Sequence, residues 1–291
     1  MPVDRPEPPV FRSCLYVPGH REGRIARAYE SAADAVILDL EDAVPAAAKA
    51  RAREIVSAIT AGPTAKPTYV RVNAIGSGLG EQDVLAVAGA GLVGVRIAKT
   101  RDVGEVRRVA ALLETVACTA TVHVLIESAD ALRDAFELAT ASPAVTMLGL
   151  GESDLRADLC AELDSITMDL GRARIVVASR AAGLINPAQS VHPDPRDLAG
   201  LLTTSERGKR LGFVGRMAIH PDQIPIIHRV YTPQPHEVEE AREICATADT
   251  AREADLSIVV SKGRLVSPPV VARARRTLHL AENLDLSMEA R

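Results

Sequence analysis

The chain has 291 residues, 47% of them apolar and 25% charged, with 34 Lys+Arg against 38 Asp+Glu. A formal charge of −4 leaves no electrostatic footprint for nucleic acid or an anionic membrane, and with no Trp, three Phe and four Tyr there are few faces on which bases could stack. No apolar run reaches the ~18–20 residues that span a bilayer, and the Pro-rich, charged N-terminus MPVDRPEPPVFR lacks the apolar core of a signal peptide.

Short apolar, β-branched runs then alternate with Ala/Leu/Arg-rich segments of helical period. Strands are predicted at 13–18 (SCLYVP), 35–40 (AVILDL), 68–73 (TYVRVN), 94–99 (GVRIAK), 122–127 (VHVLIE), 145–151 (VTMLGLG), 189–192 (QSVH) and 215–219 (GRMAI). Helices are predicted between them at 24–32, 45–60, 102–118, 129–140, 170–183 and 194–212. Eight such units over about 220 residues approach the usual allotment of roughly 250 for a (β/α)8 TIM barrel, and strands apolar on both faces suit a parallel sheet covered by helices. A doubly wound sheet would want a Gly-rich phosphate turn. Gly76–Gly80 (GSGLG) lacks that spacing and reads as a flexible loop. After the breaker TPQP at 232–235 come a helix from 236 to about 254, a short segment IVVSKGRLV, and a last helix from 268 to about 282. The expected organisation is an α/β barrel over 10–232 and a C-terminal helical extension, or lid, over 233–291. The cysteines at 14, 118, 160 and 245 are scattered without a CxxC pair, which predicts buried, reduced thiols in a cytoplasmic protein.

In barrel enzymes the chemistry sits at the C-terminal ends of the strands, and the ionisable residues collect there. The second strand ends in Asp39, Glu41 and Asp42. The third ends in Arg71 and Asn73, on one face by the two-residue period. The fourth ends in Lys99, and the fifth in Glu127 with His123 and Leu125 beside it. The sixth runs into Glu152 and Asp154, and the eighth leads to His220. Singly, each has an ordinary role as loop acid, helix cap or ion-pair partner. Glu127 resists that account, because Ser128 beside it is the better N-cap residue. Six strand ends aiming ionisable groups at one rim predict a site. Glu127 and Asp154, on adjacent strands, can share a hard cation such as Mg2+, which takes one or two carboxylates and completes its octahedron with water and substrate oxygens. A glycosidase dyad uses the same residue types, but aromatic platforms are scarce. Zinc lacks ligands at suitable spacing, and a Schiff base on Lys99 lacks an evident desolvated pocket.

Seven segments carry a resemblance: RSCLYVPGHR (Arg12–Arg21), ADAVILDLEDAV (Ala33–Val44), VRVN (Val70–Asn73), IES (Ile126–Ser128), LGLGESDL (Leu148–Leu155), SRAAGL (Ser179–Leu184) and GFVGRMAIHPDQI (Gly212–Ile224). In this order they resemble the citrate lyase β-subunit and malyl-CoA lyase family over nearly the whole chain. The resemblance implies a (β/α)8 barrel, usually trimeric. It implies a Mg2+-dependent carbon–carbon lyase that cleaves or forms a 3-hydroxyacyl-CoA of citryl-, malyl- or citramalyl-CoA type, with a 2-oxo acid or acetate unit and an acyl-CoA as the other side. It implies Glu127 and Asp154 as Mg2+ ligands, and Arg71 and the backbone around Ser153 as the grip on the 2-oxo acid. Tyr16, Arg21 and Arg27 fall where the family contacts acyl-CoA, and Ile219 and His220 where its backbone nears the thioester arm. Glu41 and Asp42 are expected to orient metal-bound water or Arg71, with Arg71 and Lys99 as their positive partners and Lys99 near the substrate. One position departs. Many members carry an Asp near the C-terminus, lent to the neighbouring subunit as acid/base, where this chain has Ser267 in LVSPP. Serine is a far weaker proton shuttle, which makes Asp42, Glu41 and His220 the replacement candidates. It also keeps open a CoA-independent 2-oxo-acid aldolase and a ligand-binding or assembly subunit.

Overall fold

A computed structural model describes residues 10–253, 260–261 and 264–284. Seven strands, β1 (Ser13–Pro18), β2 (Ala35–Asp39), β3 (Thr68–Val72), β4 (Leu92–Ile97), β5 (Thr121–Ile126), β6 (Val145–Leu150) and β7 (Arg216–Ala218), form one sheet in the order β6-β5-β4-β3-β2-β1-β7. Every neighbouring pair is parallel. Such a ladder needs crossovers, and helices supply them: α1 (Glu22–Glu30), α2 (Lys49–Thr60), α3 (Gly80–Val87), α4 (Val103–Thr115), α5 (Ala129–Arg133), α6 (Ala135–Ala139), α7 (Glu152–Asp158), α8 (Ile166–Ala181) and α9 (Leu198–Leu211). All five residues of β2 are buried. Ala35 and Ile37 face an inner cluster with Cys14, Tyr69, Ala188 and Met217. This is an α/β fold whose parallel sheet curls into a TIM-like half-barrel.

Three sequence expectations are corrected. The predicted strand at 189–192 reduces to one bridge, Gln189 with Arg216. Pro187, Pro193 and Pro195 remove the amides a longer ladder needs. The loop GSGLG is a built turn. Gly78 has φ +76, and Gly80 opens α3 where a Cβ would lie 2.4 Å from the Asn73 carbonyl oxygen. The helix predicted at 129–140 breaks into α5 and α6 at Asp134. Ser128 does cap α5, accepting from the Ala131 amide at 3.2 Å.

Asp34 ties the start of β1 to the helix after β7, α10 (Ile224–Tyr231). Its carboxylate accepts from the Arg12 amide at 2.8 Å, from Arg12 Nη2 at 2.7 Å, and lies 3.3 Å from His228 Nε2. Burial alone would raise its pKa. The bonds from His228 and Arg12 outweigh burial and hold the carboxyl well below the usual carboxylate range.

The chain divides into two compact units between Val230 and Tyr231. In the second, α11 (Pro235–Glu253) packs on α12 (Pro268–Asn283). Short antiparallel strands β8 (Val260–Ser261) and β9 (Arg264–Leu265) pair between them; the rest of the predicted IVVSKGRLV segment, apart from Val266, lies outside the described residues. Ser267 is the N-cap residue of α12. Among the described residues no helix is long and apolar enough to cross a membrane. All four cysteines are free, but only Cys14 is buried; Cys160 is exposed and Cys118 and Cys245 are intermediate, so burial does not protect all four as expected.

Candidate active site

A cavity of about 170 Å³ opens at the C-terminal ends of the strands. Tyr16 from β1, Arg71 from β3, Leu150 from β6 and Met217 from β7 all line it. The strands β6 and β7 are the two edges of the sheet, so a wall shared by both requires the sheet to curl.

The acids after β2 form an ordered charge network. Asp39 is 1% exposed and grips Arg71 with both oxygens, at 2.7 Å to Nε and 2.6 Å to Nη2. The same carboxylate accepts the Glu41 and Ala43 amides at 2.9 and 3.1 Å, so it also shapes the turn. Glu41 completes the Arg71 pairing at 3.0 Å and meets Lys99 at 2.7 Å; Asp42 meets Lys99 at 3.0 Å. Burial pushes the Glu41 carboxyl up against the opposing charges of Arg71 and Lys99. Asp42 goes down, because bonds to Glu41 and Lys99 outweigh its burial. Arg71 and Lys99 are held firmly protonated: burial disfavours their charge, but Asp39 for the first and Glu41 with Asp42 for the second more than offset it. Glu41, Asp42 and Lys99 do not line the cavity. Lys99 braces this network. Its side chain is taken by two acids, and its backbone, at φ 50, turns its amide onto Glu127 Oε2 at 2.6 Å.

Glu127, 7% exposed, lines the cavity with Ser153 and Asp154. Burial pushes its carboxyl up to about 7; the Lys99 amide opposes this and the charge of Asp154 adds to it. Gly151 leaves the room it needs, since a Cβ there would sit 2.3 Å from Glu127 Oε1. Glu152 also lines the cavity, but Arg172 forks its carboxylate and Arg172 bonds Asp169 at 2.9 Å as well. Glu127 and Asp154 line one cavity, near enough for the charge of Asp154 to act on Glu127, and a carboxylate pair suits a divalent ion. Among the described residues no three metal-ligating side chains gather together.

Of the other expected residues, Tyr16 and Ile219 line the cavity. Arg21 and Arg27 are exposed at the start and within α1, and Arg27 donates to the Gly23 carbonyl at 3.1 Å. His220 is half-exposed, and its ring accepts from the Asp222 amide at 3.2 Å, capping the turn Pro221–Gln223. These three follow the C-terminal ends of β1 and β7, outside the cavity.

The description of HpcH/HpaI aldolase/citrate lyase matches residues 12–221. The chain belongs to this family. Within it, the chain is 34% identical over 276 residues to a (3S)-malyl-CoA thioesterase of Cereibacter sphaeroides, covering 94% of this chain and 95% of that one. It is 34% identical over 283 residues to the citrate lyase subunit beta of Escherichia coli, covering 93% of each. A crystal structure of CitE from Mycobacterium tuberculosis, in complex with magnesium, acetoacetate and coenzyme A, superposes with a TM-score of 0.76 at 29% identity, over 94% of this chain and 98% of that one. The chain is thus an enzyme of the HpcH/HpaI carbon–carbon lyases, in the branch of acyl-CoA lyases and thioesterases. Sequence reasoning brought Arg71, Glu127 and Asp154 to one rim, and all three line the cavity. It did not find Asp39 as the clamp on Arg71, Arg172 as the partner that removes Glu152, or Arg96. The alternation of β4 held one usable signal: Arg96 shares the inward parity of Gly94, two residues earlier.

Proposed function

We propose that Glu127 and Asp154 hold Mg2+ and that the enzyme cleaves, or forms, the carbon–carbon bond of a 3-hydroxyacyl-CoA of citryl-, malyl- or citramalyl-CoA type. The observation that carries this reading is the buried Glu127, raised to about 7, with Asp154 and Arg71 in one cavity. In cleavage the hydroxyl oxygen loses its proton and becomes the carbonyl of a 2-oxo acid, the bonding electrons pass to the α-carbon of the thioester, and that carbon takes up a proton to leave the acyl-CoA. When bound, the metal supplies Lewis acidity toward the oxygen on which negative charge develops. Arg71 meets the same oxygen or the neighbouring carboxylate. Three of its five N–H groups are taken by Asp39 and Glu41, which leaves two for substrate in a preset orientation. Ile219 carries the thioester end and Tyr16 stands where the thioester meets the 2-oxo-acid half, with Arg21, Arg27 and His220 toward the anionic CoA phosphates. A cytoplasmic homotrimer belongs to the same proposal. Exposed Ile166, Leu170 and Val177 on α8 support self-association, and four free cysteines support a reducing compartment.

The relative named a malyl-CoA thioesterase makes thioester hydrolysis the second reading. One assay separates them: a lyase releases a 2-oxo acid and leaves an acyl-CoA, whereas hydrolysis releases free CoA thiol. The open alternatives from Ser267 are tested by thermal stabilisation. A shift with acetyl-CoA or propionyl-CoA supports CoA binding, and a shift with pyruvate plus Mg2+ alone supports the CoA-independent aldolase. Glu127→Ala and Asp154→Ala are each expected to abolish Mg2+-dependent turnover. Turnover and metal response that survive in both overturn the assignment.

A further inference from the structure

Arg96 lies in register between Arg71 on β3 and His123 on β5. It is 2% exposed and lines the cavity. Its Nε donates to Tyr16 Oη at 3.1 Å and its Nη1 to His123 Nδ1 at 3.3 Å. Both guanidinium groups flank the Tyr16 ring, Arg71 at 5.2 Å and Arg96 at 5.9 Å from its centre. Their electrostatic situations differ. Arg71 is matched by Asp39 and Glu41, and the equally buried Arg172 by Glu152 and Asp169. Among the described residues no carboxylate pairs with Arg96, and its hydrogen-bond partners are an imidazole and a phenol. Burial first, and the Arg96 charge second, hold His123 well below its ordinary range and so neutral. Burial likewise pushes the nearby Cys14 thiol up to about 12, so no thiolate compensates the cation. A buried cation without a counter-charge is costly, yet the barrel makes space for this one: at Gly149 on β6 a Cβ would stand 2.9 Å from Arg96 Nη2.

We propose that Arg96 receives a second carboxylate on the 2-oxo-acid half of the substrate, so that the site selects a 2-oxo dicarboxylate over a 2-oxo monocarboxylate. This rests on the assignment above of the Glu127, Asp154 and Arg71 end of the cavity to the 2-oxo acid. The carboxylate next to the carbonyl faces the metal ligands and Arg71, and a carboxylate on the adjoining carbon arm lies against Arg96. A substrate with hydrogen or methyl there leaves Arg96 buried and unmatched.

The test is calorimetric titration of the Mg2+-loaded protein with pyruvate and with freshly dissolved oxaloacetate. The wild-type chain is expected to prefer oxaloacetate by about tenfold or more, the worth of a charge-assisted hydrogen bond. Arg96→Met is expected to abolish that preference, with oxaloacetate losing about tenfold or more in affinity relative to pyruvate. Arg96→Lys keeps the charge without the fork and is expected to fall between them. Equal affinity for the two acids in the wild-type chain overturns the proposal whether or not the variants fold. So does an equal loss for both acids in Arg96→Met, which would make Arg96 a general counter-charge to the acidic rim. If pyruvate binds with Mg2+ and oxaloacetate no better, only this inference falls. If neither acid binds, the underlying reading of the site falls with it.

Discussion

Asp39 decides where Arg71 points. Its two oxygens accept four hydrogen bonds, two from the guanidinium and two from the turn that carries Glu41. Asp39→Asn keeps the shape but can no longer accept at both positions, and it leaves a buried arginine partly uncompensated. Breaking one side of a buried pair typically costs about 3–5 kcal/mol, with Glu41 left here to offset part of it. The expected result is a loss of about 2 kcal/mol in urea unfolding and a fall of about tenfold or more in kcat/KM, as the preset N–H groups drift. Asp39 is a positioning residue, so the signature is a loss of kcat that Asp39→Glu rescues in part. Full activity in Asp39→Asn would remove it from that role. At Ser267 the argument runs the other way. Serine and aspartate are comparable N-caps, so Ser267→Asp leaves α12 intact. It is expected to raise thioester-directed turnover if the residue that opens α12 supplies the acid/base group. No rise in a paired assay of lyase and thioesterase activity would place the acid/base elsewhere.

The junction of β6 with α7 shows how an element sets a site. The chain runs Gly149, Leu150, Gly151 and then into a helix whose first turn holds Glu152, Ser153 and Asp154. Both glycines are imposed by side chains from nearby strands, Leu125 and Arg96 at 149 and Glu127, just after β5, at 151. Gly151→Ala forces Glu127 Oε1 to move, since 2.3 Å is far inside contact distance. It is expected to weaken Mg2+ binding by about tenfold or more while the far-UV spectrum stays native. Unchanged affinity in a titration would mean that the carboxylate can re-form the site from another rotamer. This junction also marks what the sequence could deliver. Period, apolar runs and turn residues placed seven of the eight predicted strands, one of them two residues late, and brought Arg71, Glu127, Ser153 and Asp154 to one rim. They missed the collapse at Gln189, where only the surrounding prolines tell against a strand. They anticipated Arg71 and Lys99 as the partners of Glu41 and Asp42. They could not show that Asp39 takes the Arg71 fork or that Arg172 takes Glu152, because those pairings depend on strand register and sheet curl, neither of which leaves a mark in local composition.

For the whole molecule, the acidic cavity couples folding to pH and to metal. Glu127 has a folded pKa of about 7, raised first by burial, against an ordinary value of 4.5. Between those values the folded chain holds a proton that the unfolded chain has lost, so this group makes stability fall as pH rises from about 4.5 to 7. Ionised, it costs roughly 3 kcal/mol, as each pKa unit is worth about 1.4 kcal/mol. Asp34 acts with the opposite sign. Its carboxyl is held low by His228 and Arg12 against burial, so its contribution is full above the ordinary carboxylate range and lost as pH falls below it. Comparing the wild-type chain with Glu127→Gln at pH 5.5 and 8 cancels Asp34 and isolates Glu127. In chelator, the wild-type chain is expected to lose up to roughly 2–3 kcal/mol relative to the variant on going to pH 8. Mg2+ then offsets that loss, because only the ionised carboxylate ligates and mass action at a hundredfold excess over Kd adds about 2.7 kcal/mol. The gain is expected to be small at pH 5.5 and absent in Glu127→Gln at both values. Urea unfolding of both proteins, with and without Mg2+, supplies the eight midpoints required. Parallel pH profiles for the two proteins would show that Glu127 is not the proton the cavity holds, and an equal Mg2+ effect in both would move the metal away from it.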